Sequence, residues 1–566
     1  MKILMLHVDD FSYEAKKKAI KSAENVSQKS YSTSNALVVF ATVEPNDSKV
    51  LDDVVKDIVE QLNRLKVNEV VLYPYAHLSS TLAKPGEAIK VLLKLEEMLK
   101  EKGVKVHRAP FGWYKSFQIK CKGHPLAELS KRYSPPEYKP KVLDSYVITI
   151  NGELTKPKAN ELNEEIRIVW ESIEKGDWKC EEDLACKYCS KFGFVVKKIG
   201  DKCFPAYLPL AYFMFNAVLI YASTLALNVN ELIPIYFMKD TDVEEECEFS
   251  PIVCEGFCLR SSDEEQAISV DESDIAIFEI LTIYRKSGNC EPCKRVNSFH
   301  LPVISAFFND RLNAEKFLLM MHDLTHNEAE KIGQKYVVMY NLRNDVKDEW
   351  FDLIKNMVGR DNKDGIVRII EDSNALIDVE YLLVSNCGKP VEIGSLKLII
   401  EGDKYVVKAS PLGSIERYIY MILDKAAKDY KEGKPPMLPM WLTPIQVRVI
   451  PEERSVLPYV LSVVDELKRA GIRVDIDDRN VSMGTKIRDA GKEWIPYLVL
   501  VGKREKETNT VVVLRRIDNN RIDMSVKELI EVIKEELGEY GQLPQTLPLY
   551  YSRRAKIALP SDVSNK

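Results

Sequence analysis

Two proline-rich, charged stretches interrupt the apolar patterning of this 566-residue chain: RYSPPEYKPKV at 132–142 and YKEGKPPMLPM at 430–440. Proline has a fixed φ and no N–H, so neither stretch suits a helix interior or a central strand. The segments on either side are long enough for separate cores at about 150 residues per domain. Four spans follow: 1–135, a linker over 136–180, 181–430 and 437–566.

Residues 1–131 alternate strand and helix patterns. MKILMLHV and Asn35–Glu44 read as strands. Val54, Val55, Ile58, Val59 and Leu62 give Val50–Leu65 one apolar helical face. Asn68–Ser80 is a strand running into a polar loop, Gly86–Lys102 a second helix, and two short strands follow. Asn151–Lys175 reads as a strand-turn and a charged helix. After 440, IQVRVIP, IRVDID, YLVLVG and TVVVLRR alternate with helices at Val456–Ala470, Met483–Ala490 and Val526–Leu537. That rhythm predicts a partly parallel sheet with helices on its faces. The fold class is therefore multidomain, α/β at both ends and α+β in the middle.

Hydrophobic residues make up 45% and charged residues 29% of the chain, which excludes a disordered or collagen-like protein. With 80 basic against 86 acidic residues the net charge is −6, so a nucleic-acid surface must be a local patch. Eleven cysteines is an odd number, and MKILMLHVDDF carries no signal-peptide pattern. Both point to a cytoplasmic chain with reduced or metal-bound thiols. Cys203–Asn230 is uncharged and long enough to span a bilayer. Pro205, Pro209, Asn216 and Asn228 interrupt it and no second span exists, which favours a buried core helix and no membrane.

Two Cys-x-x-Cys pairs, Cys186/Cys189 and Cys290/Cys293, have knuckle spacing and could together close a structural zinc site, with Cys180 and Cys203 as another combination. The wide gap between the pairs favours plain reduced thiols, so zinc is not supported and the metal content is unknown. Lys115 sits in FGWYKSF, where aromatic neighbours can desolvate an ammonium and make it an acid, base or anion anchor. From the residues alone, a surface lysine packed on Trp113 is the stronger reading.

NALVVFATVE, VVLYPYAHLSSTLAKPGEA and VHRAPFGWYKSFQIKCKGHPLAELSKR together resemble the N-terminal editing domain of archaeal-type threonyl-tRNA synthetases, with its D-aminoacyl-tRNA deacylase-like fold. The resemblance implies hydrolysis of L-seryl-tRNA(Thr). A threonine pocket must admit serine, and one missing methyl discriminates only about 10–200-fold, so a second site is needed. It also implies that Lys115 is the catalytic lysine, orienting water and stabilising the oxyanion, and that Tyr114 holds that water. His77 then stands near the terminal ribose and Glu128 orients the lysine. His7 and the backbone of Val38, Val39, Phe40 and Ala41 wrap the 3′-terminal adenosine; a buried strand is the plain alternative for Val38–Ala41. Editing then needs no cofactor.

Residues 195–425 resemble a class II synthetase core with altered parts. Pro234 stands where motif 1 ends, which would make the preceding apolar stretch a helix in a homodimer interface. Tyr284-Arg285-Lys286-Ser287 replaces Phe-Arg-x-Glu of motif 2, and Leu412–Ile422 resembles motif 3 with Glu416 and Arg417 kept. Ser305 and Lys408 stand where the family has zinc histidines, leaving one thiolate such as Cys254. The resemblance therefore implies a degenerate core without threonine activation.

LPMWLTPIQVRVIP, AGIRVDIDDRNVSMGTKIRDA and WIPYLVLVGKRE resemble the anticodon-binding domain of the same family. That implies tRNA(Thr) as partner and Asn480, Glu505 and Arg515 as base readers. Arg473, Arg479, Lys486, Arg488, Lys503, Arg504, Arg515 and Arg516 form a candidate phosphate patch, with a solvated charged face as the alternative. Taken together, the chain resembles the freestanding editing subunit of threonyl-tRNA synthetase, clearing Ser-tRNA(Thr) beside a separate catalytic synthetase. A complete ligase with an intrinsic editing domain and a non-catalytic tRNA-binding scaffold are the alternatives.

Overall fold

The computed structural model describes residues 1–20, 23–24, 29–44, 47–78, 83, 85–133, 141–156, 161–175, 182–199, 202–229, 232–234, 274–284, 290–371, 373–538, 540 and 543–555. Among the described residues two compact units form, one over 1–133 and one over 141–555.

In the first unit the elements run β1 (Lys2–Lys18), β2 (Ser30–Thr42), α1 (Leu51–Leu65), β3 (Glu69–Pro74), α2 (Pro85–Glu101), β4 (Lys105–Arg108), β5 (Trp113–Cys121) and β6 (Glu128–Arg132). One sheet has the order β4-β3-β2-β1-β5, with β6 also on β1. β2, β3 and β4 are parallel, while β1 is antiparallel to β2, β5 and β6. The apolar spacing of α1 works as expected: Leu51, Val54, Val55, Ile58 and Leu62 are buried. They meet Val91, Leu92, Leu95 and Leu99 of α2 over one face of the sheet, each worth about 1.5–3 kcal/mol relative to exposure. The other face carries an aromatic cluster of Phe11, Tyr13, Phe40 and Tyr73.

The second unit begins with β7 (Lys141–Ile148), β8 (Leu154–Thr155), α3 (Glu164–Lys175), α4 (Leu184–Lys191), β9 (Phe194–Ile199), β10 (Lys202–Tyr207) and α5 (Pro209–Leu227). It continues with β11 (Leu232–Pro234), β12 (Ile275–Tyr284), β13 (Ser298–Phe308), α6 (Arg311–Ile332), β14 (Tyr336–Arg343), α7 (Lys347–Asp361), β15 (Gly365–Glu371), β16 (Ala375–Val384), β17 (Pro390–Glu401), β18 (Lys404–Ser410) and α8 (Ile415–Lys431). A ten-stranded sheet has the order β11-β12-β13-β18-β17-β16-β14-β15-β7-β8. The expected linker over 136–180 is therefore partly core: β7 pairs with β15, and Val147, Ile166 and Val169 bury against Val337, Met339 and Ile366. Apolar spacing inside a charged helix outweighs the proline-rich break before it. α5 is the one helix among the described residues long and apolar enough to cross a membrane, yet 44% of its most apolar window is buried in the protein. Phe213, Met214, Ala217 and Val218 join the main core.

β19 (Val447–Pro451), α9 (Leu457–Arg469), β20 (Val474–Ile476), α10 (Met483–Lys492), β21 (Tyr497–Val501), α11 (Lys503–Thr508), β22 (Val511–Arg515), β23 (Arg521–Met524) and α12 (Val526–Leu537) complete the chain. The sheet order is β20-β19-β21-β22-β23, parallel across the first three strands. Val460, Val463 and Leu467 of α9 and Leu529 and Ile533 of α12 cover one face. Ala490 of α10 covers the other, with Met483 and Ile487 packed beside it.

Candidate functional site

A cavity of about 640 Å³ opens in the first unit at the carboxyl ends of β2 and β3, lined by Tyr73, His77, Phe111, Tyr114, Lys115 and Phe117 among others. The carboxyl ends of parallel strands are where open α/β sheets place ligands. Lys115 lies on β5 opposite Ala15. Its Nζ donates to the carbonyl oxygens of Pro110 at 2.9 Å and Trp113 at 3.4 Å and stands 4.9 Å from the Tyr73 ring centre. Burial pulls its pKa down to about 8, against the opposing charge of Glu24. It is not a lysine lying on Trp113 at the surface.

The turn that carries Lys115 needs glycine at 112. Gly112 has φ +79°, and a Cβ there would lie 2.9 Å from both Ala23 Cα and Ile20 Cγ1. Its carbonyl accepts from the Ala19 N–H at 2.8 Å. Glu24 organises the rest. Its carboxylate accepts two bonds from Arg108, at 2.7 and 2.9 Å, and one from the Phe111 N–H at 2.8 Å. Its carbonyl accepts from Trp113 Nε1 at 2.9 Å. Glu24 sits in a charged run with no motif, so nothing in its local pattern marks it.

His77 and Tyr114 line the same cavity as expected, both exposed to solvent. Glu128 does not. It pairs with Leu6 on β1 while Lys115 pairs with Ala15, nine residues further along. At about 3.3 Å per residue that is on the order of 30 Å, so within this chain Glu128 cannot orient the lysine. His7 is likewise remote: it pairs with Leu37 and contacts His124 at 2.9 Å, and burial lowers its pKa. Of Val38–Ala41, only Ala41 lines the cavity. β2 lies between β1 and β3, so the backbone of Val38, Val39 and Phe40 is taken up by pairing, and their side chains are buried. The plain buried-strand reading holds for those three.

In the second unit the expected zinc positions do meet: Ser305 and Lys408 are direct partners across β13 and β18. Lys408 is buried, with Nζ 3.6 Å from Glu401. A hydroxyl facing an ammonium does not make a three-ligand zinc site, because the lysine must first lose its proton. The threonine-chelating zinc that the resemblance implies does not fit Ser305 and Lys408. Glu416 is buried and accepts from Tyr207 Oη at 2.7 Å and His300 Nδ1 at 2.9 Å, while Arg417 donates to Glu392 at 3.1 Å. Pro234 pairs with Phe278 at a sheet edge. Cys180, Cys254 and Arg285-Lys286-Ser287 lie outside the described residues.

The expected basic patch of the last domain divides. Arg473 is fully buried, its guanidinium donating to Thr443, Met440 and Trp441 carbonyls, and burial draws its pKa down to about 10. Lys486 is buried on the Asp477 carbonyl, and Arg516 donates to Pro436 and Gly491. Arg479 is forked onto Asp477. Those four hold the fold; Arg488, Lys503 and Arg504 remain about two-thirds exposed. Asn480 follows β20 and Glu505 follows β21, at the carboxyl edge of the parallel strands, but Arg515 pairs with Tyr497 at the opposite edge. Glu505 accepts from the Gly502 N–H at 2.9 Å as the cap of α11.

The family model of the "Archaea-specific editing domain of threonyl-tRNA synthetase" matches residues 1–133, and that of the "Anticodon binding domain" matches 446–536. The chain is 34% identical to the threonine–tRNA ligase of Thermofilum pendens, over 98% of this chain and 100% of that one. It is 35% identical to that of Hyperthermus butylicus (98% of each) and 33% to that of Staphylothermus marinus (98% and 99%). The RNA binding domain of threonyl-tRNA synthetase from Cryptosporidium parvum Iowa II has the same fold over 63% of this chain and 98% of its own, with TM-score 0.52 at 16% identity. The end-to-end matches run through the middle domain and overturn the expectation of a freestanding editing subunit, without threonine activation of its own, beside a separate synthetase: the relatives are full-length ligases. The chain belongs to the archaeal threonyl-tRNA synthetase family that carries this editing domain.

Proposed function

We propose that the chain acts on tRNA(Thr) as a threonine–tRNA ligase with its own editing site, and that the Lys115 cavity hydrolyses the ester of mischarged L-seryl-tRNA(Thr). The observation that carries the editing half is the half-buried Lys115 ammonium, fixed by the Pro110 and Trp113 carbonyls at the mouth of a mostly apolar cavity. Water attacks the ester carbonyl; negative charge grows on the carbonyl oxygen and then leaves with the ribose oxygen. A cation held in a poorly solvated site stabilises that charge more than it stabilises the neutral ester, which lowers the barrier. Tyr114 and His77 line the same cavity, and in this reading they order the water and the ribose. The ligase half rests on the end-to-end relatives.

Two assays on one preparation test the halves separately. Ser-tRNA(Thr) should be deacylated without ATP, and threonine should stimulate ATP–pyrophosphate exchange. Absence of deacylation overturns the editing site; absence of exchange overturns the ligase assignment and leaves editing standing.

A further inference from the structure

The two Cys-x-x-Cys pairs, about a hundred residues apart in the chain, meet in the second unit. Cys186 and Cys189 lie on α4; Cys290 and Cys293 lie in the turn before β13. The Cys186 and Cys189 thiols act on the buried Cys293 thiol, whose pKa burial and these neighbours raise, and Cys186 and Cys189 act on each other. Cys290 is joined as a disulfide to Cys203 of β10, with Cα atoms 6.1 Å apart. Cys121, Cys186, Cys189 and Cys293 are free thiols. The expectation of reduced or metal-bound cysteines fails at Cys203, Cys290 and Cys387, which are disulfide-bonded.

Independent contacts hold this arrangement. Lys294, inside the turn, pairs with Asp183 at 2.8 Å, and Asp183 caps α4 by accepting from the Cys186 N–H. Asn297 and Cys203 exchange two hydrogen bonds, at 2.6 and 2.9 Å. Cys293 has φ +62°, a left-handed backbone that a cysteine adopts at a cost. The turn is thus held with Cys293 beside the thiols of α4 while Cys290 is bonded to β10. In the oxidised arrangement no three metal-ligating side chains form a ready cage among the described residues.

We propose that Cys186, Cys189, Cys290 and Cys293 hold a structural zinc ion once the Cys203–Cys290 bond is reduced. A dithiol passes two electrons and two protons to the two sulfurs and closes to its own disulfide, leaving Cys203 and Cys290 as thiols. Zinc then displaces four protons to water and binds four thiolates, the soft, closed, tetrahedral set that selects this metal. The Lys294 ammonium beside Cys186 offsets part of the site's net negative charge. The ion would lock α4 and the turn against α8, which Asp183 already meets through Tyr420 at 2.7 Å. It would serve structure and take no part in either reaction.

The full-length chain is reduced with a dithiol, freed of it under nitrogen, incubated with zinc chloride and desalted, and its zinc is then measured. About one zinc per chain is expected in the reduced protein and none in the oxidised protein. Cys203→Ser leaves Cys290 without a partner and should bind one zinc with no reductant, while Cys290→Ser should bind none. Cobalt(II) in place of zinc should show the visible absorption of tetrahedral thiolate coordination. Reduced wild type and Cys203→Ser both free of metal, or full zinc retention in Cys290→Ser, overturns the site.

Discussion

Lys115 Nζ donates to the Pro110 carbonyl at 2.9 Å across the Gly112 turn, which holds the ammonium in the cavity rather than in water. Burial lowers its pKa to about 8. If the ammonium is the working form, loss of its proton ends catalysis. The enzyme-dependent rate of Ser-tRNA(Thr) hydrolysis should therefore fall as pH rises through about 8, after subtraction of the hydroxide reaction. A rate that rises through that range would show the neutral amine acting as a base instead.

Glu24 fixes the same turn through Arg108 and Phe111. Glu24→Gln removes the charge and keeps the shape. Deacylation should drop tenfold or more, and the domain should lose about 2 kcal/mol, the scale of a hydrogen bond to a charged group. Urea unfolding with parallel deacylation rates checks both.

Acid should weaken the second unit at one buried cluster. Asp361 lies 3.1 Å from His322 and 3.2 Å from His326. Burial alone would raise its pKa, but the two neighbouring histidine rings outweigh burial and hold it at about 2. A depressed carboxylate stabilises above its unfolded value, about 3.9, and that contribution fades as pH falls towards 2. Asp361→Asn should flatten the fall in thermal midpoint between pH 5 and pH 3, as followed by circular dichroism.

Only the exposed basic residues of the last domain should touch RNA. Replacing Lys503 and Arg504 by Gln should weaken tRNA binding and reduce its salt slope by up to about two. Arg473→Gln should instead unfold the domain, because it strands three buried carbonyls. Filter binding over a salt series distinguishes the two.

Local patterns made much of this legible. The spacing of Val54, Val55, Ile58 and Leu62 gave α1, and the FGWYK stretch marked the turn under Lys115. What stayed hidden depends on pairing between distant segments. No periodicity shows that Glu24 closes on Arg108, that Cys203 meets Cys290, or that β7 joins β15 beyond a proline-rich break. The resemblance puts Glu128 beside Lys115 and His7 at the 3′-terminal adenosine, and strand register separates both from Lys115. Arg473 did leave a signal: it stands beside Ile472 and Val474, where an apolar strand starts.

The central claim rests on Lys115, and deacylation of Ser-tRNA(Thr) and Thr-tRNA(Thr) without ATP, by wild type and Lys115→Met, tests it most directly. Wild type should hydrolyse the seryl ester and spare the threonyl ester. Lys115→Met should lose at least about 10²-fold in rate, as expected when one charge-stabilising donor is removed, while tRNA(Thr) binding persists. Near-normal hydrolysis by Lys115→Met, or equal hydrolysis of both esters by wild type, would contradict the account.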